Sequence, residues 1–311
     1  MTLALVFPGQ GSQSVGMLAE LAGEFAEVEQ TFSEASSVLG YDLWQLVQNG
    51  PESELQLTAV TQPAMLTAGV AVWRAWQAAG GPAPAVMAGH SLGEYSALVC
   101  AGVVSFAQAV QLVRQRGEFM QQAVPVGSGA MAAVLGLERG AVEAACADAS
   151  QGDETVSVAN YNAPLQSVIA GHTDAVNRAG AAAQAAGAKR VVALPVSAPF
   201  HCALMHPAAD QLTPALMDAA FNAPQVPVIN NVDVATPNEP AAIRDALIRQ
   251  IYSPVRWVEV IEAMAARGVT HVVECGPGKV LAGLTKRIRN DLDSHAVLDA
   301  TSLRQALSAT N

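Results

Sequence analysis

Charge is scarce in this sequence. Asp, Glu, Lys and Arg make up 14% of the 311 residues, while apolar residues make up 51%. Disorder needs the opposite balance, so the chain folds around a substantial core. Basic side chains are the scarcer sign, 16 against 27 acidic, giving a formal net charge of -11. Such a surface repels phosphate backbones, which argues against nucleic acid as a partner. An anionic ligand would have to be met by positive charge placed locally. The four cysteines, Cys100, Cys146, Cys202 and Cys275, are far apart and form no Cys-x-x-Cys pair. That argues against a zinc site or a disulfide framework, and for a reducing compartment. No apolar run approaches the roughly 18 residues a membrane span needs. The opening Met1 to Phe7 lacks a basic segment and is too short for a signal peptide. A soluble, cytoplasmic protein without metal or membrane segment is expected.

What is present is an alternation of strand and helix signals. Leu3 to Phe7 reads as a buried strand that runs into the turn Pro8 to Gly11. Helical segments follow to about residue 80, with breaks expected at Gly40, Gly50-Pro51 and Pro63. Ala85 to Ala88 is a short strand, Glu94 to Cys100 a helix and Phe106 to Ala123 another. This order argues for a parallel sheet covered by helices. The middle differs. Strands at Gly129–Leu135, Thr155–Asn160, Ser167–Ala170 and Arg190–Leu194 bracket helices at Arg139–Ala149 and Asp174–Ala186, with a turn at Tyr161 to Pro164. The order β-α-β-β-α-β is that of a ferredoxin-like subdomain. Strands at Val226–Asn230, Val269–Glu274 and Ala296–Leu298 then resume the first pattern. The expected organisation is one large α/β domain, residues 1–124 and 199–311, with a small subdomain at 125–198.

Gly89-His90-Ser91-Leu92-Gly93 is a Gly-x-Ser-x-Gly sequence between a strand and a helix, the context a nucleophile elbow requires. The glycines allow the sharp turn, and Ser91 is then lifted to a helix N-terminus that favours a developing oxyanion. The N–H of Leu92 is one oxyanion donor in this reading. The N–H of Gln10, in the loop Gly9 to Gln13 after the first strand, is the other. A tight turn with serine capping the helix is the plain alternative. A dinucleotide loop at Gly9-Gln10-Gly11 is disfavoured. Its third position is Ser14, and no acidic residue ends a second strand about 20 residues on.

Taken together, these loops resemble those of the malonyl-CoA:acyl-carrier-protein transacylase family of fatty-acid and polyketide synthesis. Phe7 to Gln13 looks like its opening motif and Gly89 to Tyr95 like its nucleophile motif. Arg116-Gly117 with Met120-Gln121 looks like the helix bearing its substrate arginine. Ala159 to Asn162, Pro195 to His201 and Glu274 to Lys279 are similar to its later motifs. The fold so implied is an α/β-hydrolase-like parallel-sheet core with the ferredoxin-like insert.

The resemblance implies further roles. His201 becomes the general base and acid for Ser91, while His90 and His206 are nearby competitors. The partner of His201 is a carbonyl at Gln250, where the hydrolase pattern would use an acid. Arg116 grips the malonyl carboxylate, whereas Arg114 lies on another face of its helix. Phe200 crowds an α-methyl branch, which favours malonyl over methylmalonyl. Gln62 and Asn160 line the pocket. The implied reaction is ping-pong through a malonyl ester, with malonyl-CoA and holo acyl carrier protein as partners and no bound cofactor. The acidic carrier must dock on local basic groups, either Lys286, Arg287 and Arg289 or Lys189 and Arg190. A monomer is expected. The nearest rival is a serine thioesterase using His271 or His295, and a further one is a non-catalytic carrier-docking module.

Overall fold

The computed structural model describes residues 2–196 and 198–310; Ser197, within one of the motifs above, lies outside them. The first strand, β1 (Leu3–Phe7), is buried at every position. Leu3, Leu5 and Phe7 join one apolar core, and Ala4 and Val6 another. Alternate side chains of a strand leave opposite faces, so β1 is covered on both sides. It runs parallel to β2 (Val86–Gly89) on one edge and to β8 (His271–Cys275) on the other. With β7 (Val228–Ile229) and β9 (Asp293–Val297) this makes a five-stranded parallel sheet in the order β7-β2-β1-β8-β9. Open parallel sheets bind ligands beyond the carboxyl ends of their strands, where β1 and β2 deliver Gln10 and Ser91.

A second sheet is formed by β3 (Gly129–Leu135), β4 (Val156–Ala163), β5 (Gln166–His172) and β6 (Arg190–Ala193). Its order is β4-β5-β3-β6 and every pairing is antiparallel. The helices Arg139–Ala149 and Thr173–Ala185 pack on one face through Val142, Ala145, Val176 and Ala179. Met131, Val168 and Ala170 belong instead to the large core. The β-α-β-β-α-β order thus yields the ferredoxin-like arrangement, and its open face meets the larger unit.

Two local expectations fail. Pro63 does not end a helix; it lies inside the helix Thr58–Ala78. Proline removes one backbone bond there. However, the helix is buried along most of its length, and Thr61 and Thr67 add side-chain bonds to the carbonyls of Leu55 and Pro63. Packing outweighs the local penalty, and Gln62 is held in the interior as a result. The turn expected at Tyr161 to Pro164 is strand as far as Ala163, because β4 continues through register shifts at Val158/Asn160 and Tyr161/Ala163. Those shifts let Asn160 pair with Val255 outside the sheet.

Candidate active site

Ser91 follows β2 at φ 53°, a left-handed conformation that non-glycine residues seldom adopt. The turn is held from several sides. His90 N–H donates to Phe7 O, and Ser91 N–H donates to Asn231 Oδ1 at 2.7 Å. Asn231 Nδ2 donates to Gly89 O. A Cβ on Gly89 would overlap the backbone of Gly93 and Glu94, and one on Gly93 would overlap Phe7 O. The two glycines are therefore required by close packing of the elbow against β1 and the helix Gly93–Cys100. Gln10 and Leu92, the expected oxyanion donors, line the same cleft as Ser91.

His201 also has a left-handed backbone, at φ 59°. Its Nε2 lies 2.7 Å from Ser91 Oγ, and its Nδ1 lies 2.9 Å from Gln250 O. The carbonyl can only accept, so Nδ1 carries the proton and Nε2 is left to accept from the serine hydroxyl. The partner is thus the main chain of Gln250. His201 as a whole is 4% exposed. Burial, and next the Arg116 charge, lower its pKa to about 3. The imidazole is therefore neutral, as a base must be.

Arg116, on the helix Phe106–Gln122, is 1% exposed. Its Nη1 donates to Gln62 Oε1 at 2.9 Å. Its Nη2 donates to Gln250 Oε1 at 2.9 Å and to Ser91 Oγ at 3.1 Å. Its Nε has no partner among the described residues. Gly117 permits this placement, since a Cβ there would press on Thr58 O at 2.7 Å. Burying a cation costs several kcal/mol unless it is hydrogen-bonded and compensated. Burial lowers the Arg116 pKa, and neighbours including the Glu94 carboxylate oppose that shift.

Met120, Met131, Leu194, Val196, Asn160 and Phe200 complete the cleft wall. His90, though it also reaches this wall, is engaged elsewhere: its Nε2 is 2.8 Å from Asn162 Oδ1 and its ring lies against Trp257. His206 stacks on Tyr252. Arg114 is ion-paired with Glu118 at the surface. His271 and His295 lie near Asp293 and outside the cleft that holds Ser91, whose hydroxyl has His201 as its histidine partner. Lys189, Arg190, Lys286 and Arg287 are exposed. Arg289 is ion-paired with Asp291 and Glu262 at the surface. Among the described residues no group of His, Cys, Asp and Glu could hold a metal ion, and no helix is long and apolar enough to cross a membrane.

Three contributors escaped the sequence reading: Asn231, Glu94 and the side chain of Gln250. Glu94 is 2% exposed, and burial pushes its pKa up to about 7. Its signal was a lone carboxylate in an otherwise apolar helical run directly after the elbow. Asn231 gave a weaker one, an amide just past a strand end.

The acyl transferase domain family matches residues 4–303. A malonyl CoA-acyl carrier protein transacylase of Salmonella typhimurium is 60% identical over 98% of both chains. Its counterpart in Bacillus subtilis is 45% identical over 98% of this chain and 96% of its own. The chain belongs to the acyl transferase family, among its malonyl CoA-acyl carrier protein transacylases. Members of this family with solved structures agree in fold. An acyl carrier protein S-malonyltransferase from Vibrio cholerae superposes with TM-score 0.96 at 62% identity, covering 98% of this chain and 99% of its own. A malonyl-transacylase solved in complex with a type II polyketide acyl carrier protein gives TM-score 0.98 at 58% identity, covering 99% and 100%. As in its family, the chain is an acyltransferase.

Proposed function

We propose that this acyltransferase moves malonyl from coenzyme A to the phosphopantetheine thiol of acyl carrier protein through an ester on Ser91. The observation that carries the reading is a neutral His201 on Ser91 Oγ beside the buried cation Arg116. His201 Nε2 takes the hydroxyl proton as Oγ attacks the thioester carbon. The oxyanion forms near the N–H groups of Gln10 and Leu92. Collapse of the adduct breaks the C–S bond, and the proton passes from His201 to the leaving thiolate. The carrier thiol then repeats these steps in reverse, which makes the kinetics ping-pong. Gln250 O holds the proton-bearing nitrogen of His201 throughout.

Arg116 binds the malonyl carboxylate in this reading, with Gln62 and Asn160 lining the site and Phe200 crowding an α-methyl branch. A charge-assisted bond of this kind is worth about 1.5–3 kcal/mol. No metal or bound cofactor is required. The carrier docks on Lys286 and Arg287, or on Lys189 and Arg190. The catalytic part comprises residues 1–124 and 199–311 around the small subdomain 125–198.

Intact-protein mass spectrometry tests the reading. After mixing with malonyl-CoA, one malonyl is expected on Ser91, and it should leave on addition of holo carrier protein. Slow loss to water with nothing gained by the carrier would favour a hydrolase. No adduct from malonyl-CoA would refute the proposed chemistry.

A further inference from the structure

The side chains of Arg116 and Glu94 are not hydrogen-bonded to each other, and their partners are distinct except for one residue. The side-chain amide of Gln250 stands between them. Its Nε2 donates to Glu94 Oε2 at 2.8 Å, and its Oε1 accepts from Arg116 Nη2 at 2.9 Å. The two ends dictate the direction of the amide. Glu94 Oε2 is an acceptor, already taking the N–H of Asn231, and a guanidinium only donates, so the NH2 group must face Glu94 and the oxygen must face Arg116. A flipped amide would set donor against donor and acceptor against acceptor. The same Nε2 donates to Ser91 O at 3.0 Å. Glu94 Oε2 also accepts the N–H of Asn231, whose own Oδ1 holds the N–H of Ser91.

We propose that Glu94 is a positioning residue for acyl-group selection: a counter-charge held one amide away from Arg116, which orients Gln250 so that the guanidinium stays anchored yet open to a substrate carboxylate. The inference rests on the malonyl reading above and adds a residue that touches neither substrate nor reacting atoms. Its logic is that of the alternative. A glutamate in direct contact would pair with the guanidinium, commonly through two parallel bonds, and fill the fork that the acyl carboxylate needs. With an amide as spacer, part of the attraction survives and the fork is left only partly used. Neutralising Glu94 also removes one of the two ends that fix the Gln250 amide, since a neutral amide at position 94 could offer either a donor or an acceptor, and leaves only the guanidinium to hold its direction.

The test is Glu94→Gln, close in size to the wild type, assayed for Ser91 ester formation from malonyl-CoA and from acetyl-CoA. The malonyl KM should rise by at least about tenfold, the effect of one charge-assisted bond. The acetyl kcat/KM should stay within about threefold, so the malonyl-to-acetyl ratio falls. A purely structural role would lower both thioesters together, so equal losses, or an unchanged ratio, overturn the inference. If wild-type protein forms no malonyl ester, the malonyl reading fails and this inference fails with it. If the wild type does and Glu94→Gln keeps its ratio, only this inference fails. Should Glu94→Gln not fold, the exchange Glu94→Gln/Gln250→Glu keeps the net charge and sets a carboxylate directly on Arg116. Loss of malonyl preference in the exchange supports the proposal, and its retention overturns it.

Discussion

Arg116 Nη2 donates to Ser91 Oγ at 3.1 Å, on the same hydroxyl that lies 2.7 Å from His201 Nε2. The resting enzyme thus keeps its buried cation on its nucleophile. In the proposed reading an acyl group that carries a carboxylate gives this cation a better acceptor, and an uncharged acyl group does not. Arg116→Ala is therefore expected to lower malonyl transfer by at least about tenfold while changing acetyl transfer by less than about threefold. Steady-state rates with the two thioesters check this, and equal losses would remove Arg116 from substrate selection.

His201, the proposed base, should not titrate where free histidine does. Burial holds the His201 pKa at about 3, so its neutral form persists well below the ordinary value of 6.5. With acetyl-CoA, which makes no demand on Arg116, the rate of ester formation should be flat from about pH 5 to pH 8. Rapid-quench measurements across that range would show an inflection near 6.5 if the ring were solvated.

Stability carries opposing pH signs from two buried groups. His201 binds fewer protons folded than unfolded, so its contribution is present above pH 6.5 and is lost as pH falls toward about 3. Glu274, buried at the end of β8, is pushed up from 4.5 to about 7 by burial, although Ala282 N–H donates to its Oε2. It binds more protons folded than unfolded, so its contribution is fullest below pH 4.5 and is lost as pH rises through 7. Glu274→Gln removes that loss while retaining an acceptor for Ala282. Its Tm relative to wild type should be higher at pH 8 than at pH 5, by roughly 2–4 °C for each kcal/mol relieved. Thermal melts at the two pH values decide it.

The elbow should be more stable without its nucleophile. Ser91 holds φ at 53°, where glycine is at ease and a side chain costs about 1 kcal/mol or more. Ser91→Gly should melt above wild type by about 2 °C, whereas Ser91→Ala keeps the unfavourable backbone and gains nothing from this source. Neither should form an ester. A Ser91→Gly melting point at or below that of Ser91→Ala would mean that the turn is not strained.

What the sequence disclosed was mostly local. Gly89 and Gly93 around Ser91 are legible because a sharp turn has its own residue grammar, and β1 because five apolar residues end at Pro8. His201 and Arg116 became legible only through family resemblance, since nothing in their own surroundings marks them. Glu94, Asn231 and the side chain of Gln250 stayed hidden because their roles exist only across long separations. Glu94 meets Asn231 over 137 positions and Gln250 over 156. Pro63 misled for the reverse reason, because a sound local rule yields when the helix around it is buried.

The position of β1 between β2 and β8 has a consequence for synthesis. A ribosome that has delivered the first 230 residues has made Ser91, Arg116 and His201. It has made neither the amide that holds the N–H of Ser91, nor the carbonyl that fixes the tautomer of His201, nor the strand that closes the second edge of β1. All three lie between Asn231 and Cys275. Synthesis of Ser91 and assembly of the contacts that hold it and His201 are thus separated in time, and the arrangement can close only after the segment from Asn231 to Cys275 has been added.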